Sequence, residues 1–484
     1  MNSSQIQFLL NDELVELTSI DPNLTVLQYL RQLRHLTGTK EGCASGDCGA
    51  CTAVVAQVSK QQKLEYSSIN TCITFVGNLH GKQLITVEHI TDDGKLHPVQ
   101  QALVDNHGSQ CGFCTPGFVM SAFALHKNYA KPSKENAIEA LAGNLCRCTG
   151  YRSIIDAAVT PIDKDVRDKF AEQQQQTITR LREINNRSMV TLSANGHEYF
   201  APNSLNELSK LILDKPKAIL VAGGTDLALH VTQALGEIDT LVYLGSVPEL
   251  NDIKETEKAI EIGAAVTYSQ ITSLLGQHFP ELAQMIERIG STQIRNLGTI
   301  GGNIGNASPI GDMPPALMAL SASIILQSGD SERTILLENY FKDYKVTDLA
   351  ESEFIKTIII PKASNKQVLK IYKISKRIDD DISAVLAAIN IELANGIVVD
   401  AKIAFGGMAA IPKRASFCEQ ALIAKKFSQE NIDAAKLALS KDFQPMSDVR
   451  ASSQYRATVA KNLLQKCFIE LSSQAIETRV VNYA

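Results

Sequence analysis

No apolar run in this chain approaches the roughly 18 residues that a helix needs to cross a bilayer, so a soluble, cytoplasmic protein is expected. The N-terminus, Met-Asn-Ser-Ser-Gln, lacks a charged segment followed by an apolar one. No secretory signal is expected, and the cysteines should sit in a reducing compartment. An excess of positive charge is missing too: 47 Lys and Arg against 52 Asp and Glu give a formal net charge of −5. That balance argues against a nucleic-acid partner held through its phosphates. There is no Trp, and none of the nine His lies in a pair with metal-ligand spacing. The G-x-G-x-x-G of a dinucleotide-binding βαβ unit is also absent, so a nicotinamide site of that kind is not signalled.

Cysteine, by contrast, is present and patterned. Eight of the ten fall into two sets of four. Cys43, Cys48, Cys51 and Cys72 read C-x4-C-x2-C with a fourth Cys twenty-one positions on, the arrangement that holds a plant-type 2Fe-2S cluster. Their loop, EGCASGDCGACT at 41–52, carries Gly42, Gly46 and Gly49, which let backbone N–H groups turn toward anionic sulfur. A structural zinc site draws on paired or His-containing knuckles, and a disulfide framework suits far shorter chains. The second set, Cys111 and Cys114 with Cys146 and Cys148, is C-x2-C plus C-x-C, which by spacing alone also admits zinc. It is flanked by helical stretches, one starting at Ser133 as N-cap with Glu135 in its first turn. Cys418 and Cys467 have no such neighbours and read as buried small apolar side chains.

About three domains are expected from length. Ile6 to Leu10 and Leu14 to Thr18 read as a hairpin around Asn11-Asp12, followed by a helix from about Thr25 to Leu36. A polar, Gln-rich stretch from about 161 to 187 reads as a solvated helix or linker. Beyond it the cysteines stop and glycine-punctuated strands begin. Two small-residue loops, Leu220 to Leu227 and 298–303, could cradle a pyrophosphate or be tight turns without a ligand. Strands are expected at 218–222, 260–266, 389–393 and 397–405, and helices near 428–440 and 450–471.

EGCASGDCGACT, NTC at 70–72, QCGFCTPGF and GNLCRCTGYR resemble the cluster motifs of the molybdenum hydroxylases, the xanthine dehydrogenase and aldehyde oxidase family. LVAGGTDL, TIGGNIGNASPIGDMPP and YKISKRIDDDIS are similar to that family's FAD domain. The resemblance implies an α+β multidomain chain: a β-grasp 2Fe-2S ferredoxin domain at 1–90 and a helical-bundle 2Fe-2S domain at 91–160. After a linker at 161–190 come a vanillyl-alcohol-oxidase-like FAD domain at 191–365 and a C-terminal α+β flavoprotein domain at 366–484. It implies cluster ligation by the eight cysteines. It implies FAD contacts from Leu220, Val221, Ala222, Gly223, Gly224, Thr225, Asp226 and Leu227, and from Thr299, Ile300, Gly301, Gly302 and Asn303. Ile289, Asp312, Ile355 and Lys373 are further FAD contacts on this reading, with Asp380 near the flavin edge. Asp312 could equally be a turn or cap residue, and Lys373 a solvated surface charge.

The resemblance further implies an oxidoreductase subunit that passes electrons through two 2Fe-2S clusters to FAD and on to NAD. The molybdenum cofactor would lie on a large partner subunit in an αβ or α2β2 assembly, because the family's molybdopterin domain does not follow the flavin domain here. Hypoxanthine and xanthine, oxidised to urate, are the implied substrates. An aldehyde-oxidising or N-heterocycle-oxidising enzyme is the alternative.

Overall fold

The computed structural model describes residues 5–162, 168–185, 189–362, 364, 366–472, 476 and 478. The chain divides into two compact units. One comprises residues 1–249, 267–269 and 290–298, and the other 250–266, 270–289 and 299–484.

The first unit begins with a five-stranded mixed sheet in the order Glu13–Leu17, Ile6–Leu10, Gln83–Ile85, Thr52–Val58, Leu64–Asn70. Ile6–Leu10 runs antiparallel to its hairpin partner and parallel to Gln83–Ile85. The hairpin closes as its sequence indicates, because Asn11 adopts φ 59 at the turn and Asn tolerates the left-handed region. The partner strand starts at Glu13, one residue earlier than the alternation suggested.

The helix expected from Thr25 to Leu36 is different. A capping box at Thr25 and Gln28 starts it, but only Val26–Gln28 is α-helical, and Tyr29–Leu33 widens to a π-turn in which Arg34 N–H donates to Tyr29 O. The wider turn lets Leu27, Tyr29 and Leu30 all enter the core beside Phe8 and Phe75, and burying those side chains outweighs regular helix geometry.

Four helices follow: Pro98–Asp105, Thr115–Asn128, Lys134–Leu141 and Arg152–Ala158. They pack around Leu103, Phe118, Met120, Phe123 and Ile154. Ser133 caps the third as expected, accepting from Asn136 N–H, with Glu135 in the first turn. The Gln-rich stretch carries the helix Gln174–Ile184, whose Leu181 and Ile184 bury against Leu9 while its polar face meets solvent. A four-stranded sheet completes the unit in the order Val190–Ala194, His197–Ala201, Thr240–Tyr243, Ile219–Val221, the last three strands parallel.

The second unit holds a five-stranded antiparallel sheet, Ile253–Glu255, Ala259–Gly263, Phe354–Pro361, Ser323–Ser328, Ser331–Leu336. Its C-terminal part is a second antiparallel sheet of Gln367–Ile374, Val385–Ala394, Ile397–Gly406 and Lys413–Arg414. Helices Ser416–Leu422, Gln429–Asp442 and Ser453–Ser472 complete it. Val385, Ala387, Ile389, Ile403 and Phe405 form the apolar face against Ile432 and Leu464, and Cys418 and Cys467 lie fully buried among them, as expected.

Candidate cluster and flavin sites

The cysteines that lie far apart in sequence meet as thiol pairs. Cys51 Sγ is 3.4 Å from Cys72 Sγ, both buried, at the start of the strand Thr52–Val58 and just after Leu64–Asn70. Cys43 hydrogen-bonds Cys48 and Cys72, and all three sit together on or beside the loop ahead of that strand. These bonds hold the Cys43 thiol well below its usual range and push Cys48 and Cys72 well up, the pattern of one proton inventory shared by crowded sulfurs.

The loop supplies donors as its composition suggested. Ser45 N–H reaches Cys43 Sγ at 3.4 Å, Ala50 N–H bonds Cys48, and the Asn70 amide lies 3.8 Å from Cys51 Sγ. Gly46 and Gly49 take φ +84 and +68, turns closed to most side chains.

In the second set Cys114 pairs with Cys146, and Cys111 with Cys148. Cys114 is at the N-cap of Thr115–Asn128, and Cys146 and Cys148 occupy the turn between the third and fourth helices. Although burial pushes Cys146 up, donation from the Thr149 hydroxyl (3.3 Å) and Cys148 N–H (3.4 Å) brings it down to about 7. Burial and Cys146 push Cys114 up to about 12.

Two thiols per iron, repeated twice in each set, is what a 2Fe-2S cluster held by four cysteines uses. The two four-thiol sets therefore fit such clusters.

The strand Ile219–Val221 runs into the loop 222–227, where Gly224 has φ +76. A Cβ on Gly223 would overlap Leu297 O, and one on Gly224 would lie 3.5 Å from Ile73 O, next to Cys72. The loop thus lies against the first cysteine site. In the second unit Thr299 caps Ile300–Gly305, accepting from Gly302 N–H at 2.8 Å. Gly301 and Ile300 pack against the protein, a Cβ on Gly301 overlapping Ala264 O, whereas Gly302 is exposed and carries no side chain. Asn303 Oδ1 is buried without a partner among the described residues, an acceptor awaiting a donor.

Asp312 and Lys373, sixty-one positions apart, form a buried ion pair at 2.6 Å. Ser383 Oγ donates to Asp312 Oδ1 at 2.6 Å, and Lys373 Nζ also donates to Arg288 O at 2.9 Å. The alternative of a solvated Lys373 is thereby overturned: its side chain is 3% exposed. Ile355 is buried in its strand beside Gly305, Ile289 ends the helix-to-turn segment after Glu287, and Asp380 sits in a left-handed turn at φ 48. Sequence reasoning missed Ser383, Thr149 and Asn70 as neighbours of these groups, although Thr149 and Asn70 stand inside or beside the cysteine motifs.

Four family models match in the same order. Residues 8–77 match a 2Fe-2S iron-sulfur cluster binding domain, 86–159 a 2Fe-2S binding domain, 192–363 the FAD binding domain in molybdopterin dehydrogenase, and 370–471 the CO dehydrogenase flavoprotein C-terminal domain. The chain carries the iron–sulfur and FAD domains of the molybdenum hydroxylase family. Among curated relatives, xanthine dehydrogenase of Emericella nidulans is 34% identical over 98% of this chain. The chain spans about two fifths of that relative's length, 39%. Among solved structures, carbon monoxide dehydrogenase from Hydrogenophaga pseudoflava covers 56% of this chain and 95% of its own at TM-score 0.54 and 27% identity. Quinoline 2-oxidoreductase from Pseudomonas putida 86 covers 56% and 94% at TM-score 0.52 and 25% identity. Among the described residues, no helix is long and apolar enough to cross a membrane.

Proposed function

We propose that the chain is the electron-transfer subunit of a xanthine dehydrogenase. It would relay electrons from a molybdenum centre on a large partner subunit to NAD during oxidation of hypoxanthine and xanthine to urate. The observation that carries this reading is the similarity to xanthine dehydrogenase across both cysteine sites and the flavin domain together, 98% of the chain. When bound, the clusters supply one-electron carriage, and FAD supplies the conversion of single electrons to a hydride.

The chain's own residues hold and orient those groups. Cys111, Cys114, Cys146 and Cys148 would ligate one cluster, and Cys43, Cys48, Cys51 and Cys72 the other. Each unit offers its own candidate FAD contacts: the backbone of 220–227 in the first, and the backbone of 299–303 with the Asn303 acceptor in the second. Asp312 and Lys373, locked by Ser383 and Arg288 O, would present fixed charge to the flavin. Similarity to quinoline 2-oxidoreductase favours a second reading, the electron-transfer part of an N-heterocycle or aldehyde hydroxylase.

The test uses the purified chain with and without a co-expressed molybdenum subunit. Alone it should oxidise NADH with a dye acceptor and leave purines untouched, and the partner should confer purine-dependent NAD reduction. Cys148→Ser should remove the coupled reaction and spare the NADH–dye reaction. Purine oxidation by the isolated chain would refute the division of labour, and coupling only to aldehydes or quinolines would select the second reading.

A further inference from the structure

Within the first unit, the ferredoxin-like sheet, the helical module and the segment 290–298 meet at a buried polar seam. Thr52, Ser121, Asn144 and Gln293 are all essentially inaccessible to solvent. The Gln293 amide reaches Asn144 Oδ1 at 3.0 Å and the hydroxyls of Ser121 and Thr52 at 3.2 Å each. Asn144 donates to Gly49 O at 3.0 Å and to Thr52 Oγ1 at 3.2 Å. Ser121 closes the circuit to Asn144 Oδ1 at 2.7 Å.

Glycine makes the approach possible. A Cβ on Gly49 would overlap Gly143 O, one on Gly117 would overlap Gly49 O, and one on Gly143 would overlap the side chains of Ser291 and Gln293. Segment 290–298 is also tied to the third helix of the helical module, because Arg295 ion-pairs with Glu139 and Thr292 Oγ1 donates to Glu139 O at 3.0 Å.

One residue beyond Asn144, Leu145 N–H donates to Cys48 O at 3.0 Å. Cys48 belongs to the first cysteine set, and Leu145 is bonded to Cys146 of the second. The two sites are therefore connected by covalent bonds and a single hydrogen bond. Gln293 is an expensive way to fill this space. A buried amide forgoes its hydration, and its Oε1 has no partner among the described residues, whereas an apolar side chain of similar volume would leave no buried polar atom unpaired. The two N–H groups of its amide, shared among three acceptors, instead fix the lateral and rotational setting of the two cysteine loops.

We propose that Gln293 is a positioning residue for electron exchange between the two cysteine sites, acting by holding the Cys48 O···H–N Leu145 link in register. The inference deepens the reading above and rests on both sites holding clusters. In the step concerned, one electron leaves the site at Cys111, Cys114, Cys146 and Cys148 and enters that at Cys43, Cys48, Cys51 and Cys72. No bond is made or broken, and no proton moves.

The test is Gln293→Met, which keeps the volume and removes the donors, in the full chain carrying its cofactors. Paramagnetic resonance of the reduced protein reads the spin–spin interaction between the sites, and freeze-quench reduction reads how fast an electron equilibrates between them. Both cluster signals should persist at unchanged midpoint potentials, with a weaker interaction and equilibration slowed on the order of tenfold, the lower end of the activity losses seen when a partner of a metal ligand is removed. An interaction and rate equal to those of the unaltered chain would overturn the proposal. Absence of two cluster signals in the unaltered chain would instead defeat the cluster reading beneath it. Should Gln293→Met shed iron, Thr52→Val, which removes one hydroxyl of the same seam, decides by the same two measurements. Iron loss from both variants counts against the proposal, since the seam would then maintain the fold rather than the setting of the sites.

Discussion

At the scale of single residues, the side chains that touch sulfur do more than fill space. The Thr149 hydroxyl donates to Cys146 Sγ at 3.3 Å, and a donor to a ligand sulfur stabilises the more negative, reduced state of an attached cluster. Thr149→Val keeps the shape and deletes the donor. Its cluster should become harder to reduce, with a midpoint lowered on the order of 60 mV, the one-electron equivalent of about 1.4 kcal/mol. Redox titration of that signal checks it, and an unmoved midpoint would show that the hydroxyl does not tune the site. Cys467 illustrates the opposite case: burial pushes its thiol up to about 12, so it stays protonated and packs as a small apolar residue.

At the scale of elements, the stretch after the helical module is fastened by Asp168. Its carboxylate receives Lys127 Nζ at 2.5 and 2.6 Å and lies 3.1 Å from His97 Nε2. It also caps the short helix Lys169–Glu172 by accepting from Ala171 N–H. Lys127 lies over the rings of Tyr66, Phe123 and Phe170, so the anchor unites sheet, helix and linker. Burial raises the Asp168 carboxyl, but His97 and Lys127 more than offset it and hold the group well below the usual carboxylate range. A depressed folded value means that the stabilisation is complete above the unfolded value, about 3.9, and is lost as pH falls toward the folded one. Asp168→Asn should cost about 2 kcal/mol at neutral pH, below the roughly 3–5 kcal/mol of a fully buried pair because the carboxylate remains partly solvated, read by urea unfolding. The difference from the unaltered chain should narrow below about pH 3.9; a gap independent of pH would contradict the assignment.

At the scale of the whole molecule, loss of the flavin should be separable from loss of the clusters. Gly224 is a poor probe, since φ +76 strains any side chain placed there whether or not a phosphate is bound. Thr225→Val is cleaner, because it removes only a hydroxyl from a loop the fold leaves partly open. If the Thr225 hydroxyl contacts FAD, the variant should lose about tenfold in flavin affinity, one hydrogen bond's worth, while iron per chain stays constant. Flavin retained through gel filtration at the unaltered ratio would show that the Thr225 hydroxyl makes no contact with the flavin.

Much of this was legible from local sequence. A cluster loop needs its ligands a few residues apart with glycine between them, so C-x4-C-x2-C announces itself without any fold. The Asn11 turn and the Ser133 cap are likewise decided by neighbours within four residues. The tertiary structure decided whatever depends on residues distant in the chain. It brought Cys72 to Cys51, and it buried Lys373 against Asp312, where charge alone suggested the surface. It also turned the expected helix after Thr25 into a single α-turn and a π-turn, since core packing outweighed helical propensity. Gln293, a polar residue in a stretch without any motif, gained its place only because three glycines let two backbones meet beside it. Local spacing can encode a ligand set, but the partners of a buried polar group are chosen by the packing that removes water from around it.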